Sequence, residues 1–419
     1  MTATESEQAS GAGKTFLSSS EVVERLGISK STLYAYVSRG LIRSEPDPDS
    51  PRSRRYRADD VERLLNRQRI RLDPGTGTVR EPERETPIVE SGISSIDNGR
   101  LSYRDHDAID LASREAFESV VSLLWGHGLG APIPSVDRSS SAARNELLQQ
   151  TQLMAQSLDA PARVQMLLPV LEQRDRSSFD LRPDSVEQVG VNILQLFTAA
   201  MVGAEGRSGI AKTLQAHWAP GRPGMARLID AALVLSADHE VDVSALTVRC
   251  IASSRAPLYS AIAGGLSAIR GQKQGGAILQ AGAMVAQVDA PDNAYDVLRN
   301  RLQRGENLAG FGNERFPDGD PRAEILLQML REELGDAPEI TLADSICAAA
   351  NQLQGLKPNL DFGLVLLTRS LGESDETARA LMVLGRIAGW VAHALEEYQR
   401  DEVIEQRTRS AMNGSAAGA

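Results

Sequence analysis

Cysteine is almost missing from this chain: Cys250 and Cys347 are the only two in 419 residues. So few thiols exclude a disulfide framework and a cysteine-built metal site, and they suit a reducing compartment. No apolar run reaches the ~20 residues that a membrane helix needs. The opening MTATESEQASGAGK is polar, with no hydrophobic stretch of the kind a secretory leader carries. A cytoplasmic protein with no membrane partner and no metal is expected. Histidine is scarce too. The five are His106, His127, His217, His239 and His393, and none falls in the glycine-rich loops at 271–275 and 310–312. Beyond residue 90 the apolar/polar alternation of half-buried strands is also rare.

What is present fits a globular protein of two or three domains, with 42% hydrophobic and 24% charged residues. Charge is uneven. Phe16 to Leu72 holds 12 Lys/Arg against 8 Asp/Glu, whereas the chain from Asp73 onward has a net charge of −14 within a total of −11. A basic head on an acidic body suits a head that meets phosphate.

Residues 16–72 read as a helix-turn-helix with a wing. Ser18 and Glu21 have capping-box spacing before Val22, Val23 and Leu26. A second helix, Lys30 to Ser38, turns Leu33 and Val37 inward and exposes Lys30, Ser31, Thr32 and Tyr34, which can reach base edges and phosphates. Arg52, Arg54, Arg55 and Arg57, interleaved with Tyr56, form a strand-like wing suited to phosphate contacts. The string V-x-x-L-G-I-S-x-x-T-L-Y…G-L-I…R-R-Y…D-D-V resembles the MerR/excisionase-type winged helix. Residues 1–15 read as a disordered tail, 73–89 as a Pro- and Thr-rich linker and 413–419 as a second tail.

From residue 90 to 412 apolar residues recur at helical spacing. Phe117 to Leu124, Val189 to Met201, Met225 to Leu235, Leu246 to Ile251, Ala323 to Leu334 and Glu376 to Glu397 are the clearest runs. The fold class expected is all-α. Several short motifs occur in order along it: Glu90-Ser91-Gly92-Ile93-Ser94-Ser95-Ile96-Asp97, Leu101-Ser102-Tyr103-Arg104, Ala237-Asp238-His239-Glu240, Gly310-Phe311-Gly312-Asn313 with Asp320-Pro321-Arg322, Pro358-Asn359-Leu360-Asp361-Phe362, and Gly385-Arg386-Ile387-Ala388-Gly389-Trp390.

On these motifs the body resembles the citrate synthase family. The resemblance implies a large and a small helical domain, the small one spanning roughly 240–350, that close on substrate within a homodimer. It implies condensation of an acyl-CoA with a 2-oxo acid such as oxaloacetate. That chemistry needs a carboxylate to take the α-proton, donors for the enolate oxygen and a donor on the ketone. The family match places the base at Asp361 and the donors at Gln274 and Asn313, where the family has histidines. An amide donates a hydrogen bond but cannot titrate near neutrality. Loss of one such donor lowers turnover by roughly 10²–10³. The residues that the resemblance implies for carboxylate binding are present, as His239, Arg322, Arg386 and Arg407. Lys273 adds a cation beside the expected thioester.

The reading is a transcription regulator that senses a di- or tricarboxylate or its CoA thioester, with impaired condensing activity. CoA or an acyl-CoA is then a ligand rather than a permanently bound cofactor, and DNA and a second copy of the chain are partners. The rival reading is an active citrate or methylcitrate synthase-like acyltransferase. A third is a catalytically weak subunit of an active paralogue.

Overall fold

A computed structural model of the protein describes residues 16–26, 33, 37, 42–47, 50–57, 61, 90–135, 146–150, 158–203 and 209–404. The chain divides into two compact units, Met1–Ile88 and Val89–Ala419. The tails at 1–15 and 413–419 and the linker at 73–89 lie outside the described residues, as do Lys30, Ser31, Thr32, Tyr34 and Arg407.

The first unit holds a three-stranded antiparallel sheet in the order β1 (Phe16–Ser18), β3 (Ser50–Arg57), β2 (Ser44–Asp47). Helix α1 (Ser19–Leu26) follows β1 directly. Its start is the expected reciprocal cap: Ser18 N donates to Glu21 at 2.7 Å and Glu21 N donates to Ser18 Oγ at 3.3 Å. Leu17, Val22, Leu33, Ile42, Tyr56 and Val61 are buried together, with Val23 and Val37 packed against them. Leu33 and Val37 are helical, as their spacing predicts.

The second unit opens on an antiparallel sheet of β4 (Ser94–Asp97), β5 (Arg100–Tyr103) and β6 (His106–Asp107), which the helical periodicity did not anticipate. Helices make up the rest: α2 (Ala108–Arg114), α3 (Phe117–Leu124), α4 (Ala160–Arg174), α5 (Pro183–Val202), α6 (Ile210–Trp218), α7 (Met225–Ser236), α8 (Val243–Ser253), α9 (Leu258–Ile269), α10 (Gly276–Gln287), α11 (Ala294–Gln303), α12 (Pro321–Leu334), α13 (Pro338–Gln354), α14 (Leu360–Ser370) and α15 (Asp375–Tyr398). Among the described residues no helix is long and apolar enough to cross a membrane.

Several helices begin on side-chain caps that the sequence supplies. Asp107, Asp159, Asp242, Asp320, Asn359 and Ser374 each accept from a backbone N–H of the first turn. Asp320-Pro321 is a cap followed by proline at the first helical position, where its missing N–H is no loss.

Helix α15 is the axis of the core and packs against α5, α7, α8, α9 and α14. Nearly every residue from Ala378 to Leu395 is buried, as expected of a helix apolar on all sides. Two glycines one turn apart let α7 approach it at backbone distance. A Cβ on Gly385 would lie 2.6 Å from the Leu233 carbonyl oxygen, and one on Gly389 would lie 2.4 Å from that of Ala237. Gly389 N instead donates to Ala237 O at 3.2 Å.

Both glycines should therefore resist substitution. Gly389→Ala and Gly385→Ala are each expected to destabilise by about 2 kcal/mol or more, since overpacking a rigid contact has no flexible side chain to absorb it. Gly221→Ala, with no atom within 4 Å of the added carbon, should stay within about 0.5 kcal/mol of the parent. Denaturation midpoints of the three variants check this.

Candidate ligand and active site

The close approach of α7 and α15 sets the site. The chain leaves α7 into Ala237-Asp238-His239-Glu240, directly opposite Arg386 on α15. Arg322 comes from the first turn of α12 and Asp361 from the first turn of α14. The loop 310–313 is stitched to the entry of α14: Gly312 N donates to Lys357 O at 2.8 Å, Asn359 N to Gly310 O at 2.9 Å and Asn359 Nδ2 to Gly312 O at 3.0 Å. Gly310 has φ +85°, and a Cβ there would press on Ala281 and Phe362 at 3.1 and 3.2 Å. Glycine is required for both reasons.

Four of the expected residues meet. Arg322 is buried and makes a two-pronged contact to Asp320, Nε to Oδ1 at 2.9 Å and a terminal nitrogen to Oδ2 at 2.8 Å. Burial works to raise the Asp320 carboxyl, but the Arg322 guanidinium and backbone N–H groups outweigh it and hold it below the ordinary carboxylate range. Arg386, also buried, donates to Asp242 at 2.9 Å. His239 lies edge-on to Phe316, and the Arg322 guanidinium sits 5.1 Å over the same ring. Burial first, then the Arg322, Arg386 and Arg315 charges, depress the His239 imidazole to about 2, so it stays neutral at any ordinary pH. His239 Nε2 and Arg386 Nε are buried with no hydrogen-bond partner among the described residues. Two guanidiniums and a neutral imidazole with unused polar atoms form a site suited to an anionic, multidentate ligand.

Asp361 is the fourth. It sits where an N-terminal helix dipole would favour its anion, yet burial dominates and pushes the carboxyl up to about 6; Arg322 and Arg386 oppose that shift and Asp320 adds to it. A carboxylate so poised is a competent general base near neutrality.

The amides behave differently. Asn313 Nδ2 donates to Asp320 Oδ2 at 3.2 Å, and its Oδ1 accepts from Arg315 N at 3.0 Å. Its side chain braces the loop. Gln274 lies in the turn 271–275 ahead of α10, half-buried, and Lys273 beside it is exposed. That turn packs toward Arg379 and Met382 of α15. No hydrogen bond joins Gln274 to the His239–Asp361 cluster among the described residues. A cavity of about 450 Å³, lined among others by Asn313, Phe316, Asp318, Asp320, Leu356 and Lys357, opens along the loop; this is within the usual volume of small-molecule sites. Among the described residues no group of three or more His, Cys, Asp or Glu could hold a metal.

On the wing, Arg55 is paired with Glu45 across the sheet, Nε to Oε1 at 2.7 Å. Arg54 is exposed and donates to Ser44 Oγ and O, each at 3.0 Å. Arg57 is half-buried at the end of β3, and its backbone N donates to Arg43 O. Arg52 lies on β3. The cross-strand partners were not foreseen, because Glu45 and Ser44 are ten residues distant and only the hairpin register brings them opposite.

A buried polar network was missed altogether. His393 bridges Asp238 (Nε2 to Oδ1, 3.2 Å) and Arg249 (Nδ1, 2.9 Å), and Arg249 also pairs with Glu396 and Glu397. Arg249 can only donate, so Nδ1 accepts and Nε2 carries the proton toward Asp238. The spacing i, i+3, i+4 of His393, Glu396 and Glu397 on one helix was the available signal.

The citrate synthase C-terminal domain matches residues 83–407, and a helix-turn-helix domain matches residues 16–69. The chain is 28% identical over 353 residues to a citrate synthase of Haloferax volcanii, covering 77% of this chain and 93% of that protein. It is 26% identical over 360 residues to a 2-methylcitrate synthase of Corynebacterium glutamicum, covering 77% and 92%. Among solved structures it resembles the citrate synthase of Thermotoga maritima (TM-score 0.64, 23% identity, 80% of this chain and 96% of that one). It also resembles that of Thermoplasma acidophilum solved with carboxymethyl coenzyme A and oxaloacetate (TM-score 0.62, 21% identity, 80% and 96%). Fold and motif order together define a citrate synthase scaffold with a second, smaller module in front. The chain belongs to the citrate synthase family and carries a helix-turn-helix domain at residues 16–69.

Asp361 supplies a pH signature. Its folded value is raised from 3.8 to about 6, so its contribution is fully present below pH ~4 and is lost as pH rises through ~6. Asp361→Asn should match the parent near pH 4 and exceed its stability by on the order of 2–3 kcal/mol above pH 7. Denaturant midpoints across that range measure it; parallel curves would show that the carboxyl is not strained by burial.

Proposed function

We propose that this protein is a carboxylate-sensing transcription regulator built on the citrate synthase fold, acting as a cytoplasmic homodimer. The observation that carries the reading is the pairing of buried polar atoms on His239 and Arg386, without partners among the described residues, with a loop whose would-be catalytic donor, Asn313, is spent on bracing Asp320 and Arg315. The pocket keeps what an anion needs and lacks what turnover needs. Oxaloacetate or a related di- or tricarboxylate is the proposed ligand, held by His239, Arg322, Arg386 and Arg407, with CoA or its thioester along the loop cavity. The complex of the Thermoplasma acidophilum relative supports that choice. The N-terminal module then reads DNA through Lys30, Ser31, Thr32 and Tyr34, with Arg52, Arg54, Arg55 and Arg57 toward the phosphates, and a dimer presents two such heads to paired half-sites. Closure of a small domain, residues 240–350, on the ligand biases the equilibrium between two states.

One observation favours the rival reading of an active citrate or methylcitrate synthase-like enzyme. Asp361, raised to about 6, is poised as a base. Catalysis then falls to what Asp361 achieves with amide donors at Gln274 and Asn313.

Turnover separates these, and a thermal shift tests the pocket that both require. Turnover of the native chain with oxaloacetate and acetyl-CoA should lie well below the common enzyme range of about 1–10³ s⁻¹, and the double variant Gln274→His, Asn313→His should raise it at least about tenfold. A native rate inside that range establishes the enzyme. Independently, oxaloacetate or citrate should raise the melting temperature, by an amount equivalent to about 2.7 kcal/mol at a hundred times the dissociation constant. His239→Phe removes Nε2 and should abolish the rise; its ligand-free melting temperature is measured alongside, because the larger phenyl ring also alters packing. Arg322→Ala is the poorer probe, because it strands the buried Asp320 carboxylate.

A further inference from the structure

The segment that carries His239 also holds the start of the body. The described part of the second unit begins at Glu90 and reaches β4 at Ser94. There, the residues on either side of His239 grip it. Ser94 Oγ donates to Asp238 Oδ2 at 2.5 Å and itself accepts from Glu240 N at 2.9 Å. Glu240 Oε1 accepts from Ile96 N at 3.1 Å. Its other oxygen pairs with Arg315 at 3.0 Å, and Arg315 N in turn holds Asn313 Oδ1 at 3.0 Å. Just upstream, Gly92 N donates to Glu396 Oε1 at 2.9 Å, and Glu90 O accepts from Arg400 at 2.7 Å and Arg249 at 3.2 Å.

Glu240 adopts this arrangement at φ +57°. A glutamate gains nothing by itself in the left-handed region, so these bonds are what keep it there. Between the two gripping residues, His239 Nε2 is buried without a hydrogen-bond partner among the described residues.

We propose that ligand capture at His239 orders β4, the strand on which the body begins. A carboxylate that engages His239 Nε2 immobilises the Asp238–Glu240 segment, and Ser94 and Ile96 transmit that ordering to the strand. Ordering shared between two sites is a coupling free energy even without a large displacement. The inference rests on the carboxylate-pocket reading above.

Amide hydrogen exchange of the full chain with and without saturating oxaloacetate tests it. In the parent, exchange should slow by about fivefold or more both at 312–322 and at 90–97. Ser94→Ala should retain the first protection and lose the second. Glu240→Gly, which suits a positive φ and so folds, cuts the Ile96 and Arg315 links and should give the same split. Protection at 312–322 in the parent with none at 90–97 overturns the coupling while leaving the pocket standing, and so does unchanged protection at 90–97 in both variants. Protection at neither place overturns the pocket itself, and this inference with it.

Discussion

Two helices that touch backbone to backbone underlie the rest of this architecture. Because Gly385 and Gly389 carry no Cβ, the last turn of α7 lies directly on α15, and the chain that leaves α7 emerges beside Arg386. Any side chain at either position would lever the helices apart. His239 would then lose the guanidinium that helps depress it, and Asp238 would lose reach to His393. The buried network of Asp238, His393, Arg249 and Glu397 depends on the same contact. A neutral imidazole, two buried guanidiniums and an uncomfortable carboxylate are placed together by packing, and their electrostatics follow from that placement.

The fold was largely legible in the chain. Helical periodicity marked Phe117–Leu124 to the residue, and the runs Met225 to Leu235 and Glu376 to Glu397 lie inside α7 and α15. The Ser18/Glu21 spacing predicted a cap that forms from both directions. The motif Asp320-Pro321-Arg322 carried more than a ligand arginine: it encodes a helix start whose cap also neutralises that arginine. What could not be read is pairing between residues distant in sequence. Arg55 with Glu45, Arg386 with Asp242 and Asp238 with His393 depend on register and crossing, which local pattern does not contain. The β4–β5–β6 sheet escaped because its strands are two to four residues long, too short for an alternating pattern to register.

The site also separates two properties that its family signature joins. On the proposed reading, capture of an anion needs fixed donors and unspent hydrogen bonds; His239 and Arg386 hold such atoms among the described residues, while Arg322 is paired with Asp320. Condensation needs in addition a proton delivered and withdrawn in step with bond formation. Asp361 can withdraw one. Asn313 holds no titratable proton, and its amide already serves Asp320 and the backbone of Arg315. On the proposed reading, a chain whose Asn313 braces the loop is a binder whose occupancy is reported elsewhere. The module at residues 16–69 is where such a report would be read.

Binding of the full chain to genomic DNA fragments, read at several salt concentrations with and without oxaloacetate, tests that account most directly. A ligand-responsive regulator should show a preference for particular sequences, a salt dependence set by the arginines of the wing, and an affinity that oxaloacetate shifts by roughly 5–150-fold. Binding no better than to random DNA at every salt concentration, with or without oxaloacetate, would contradict it.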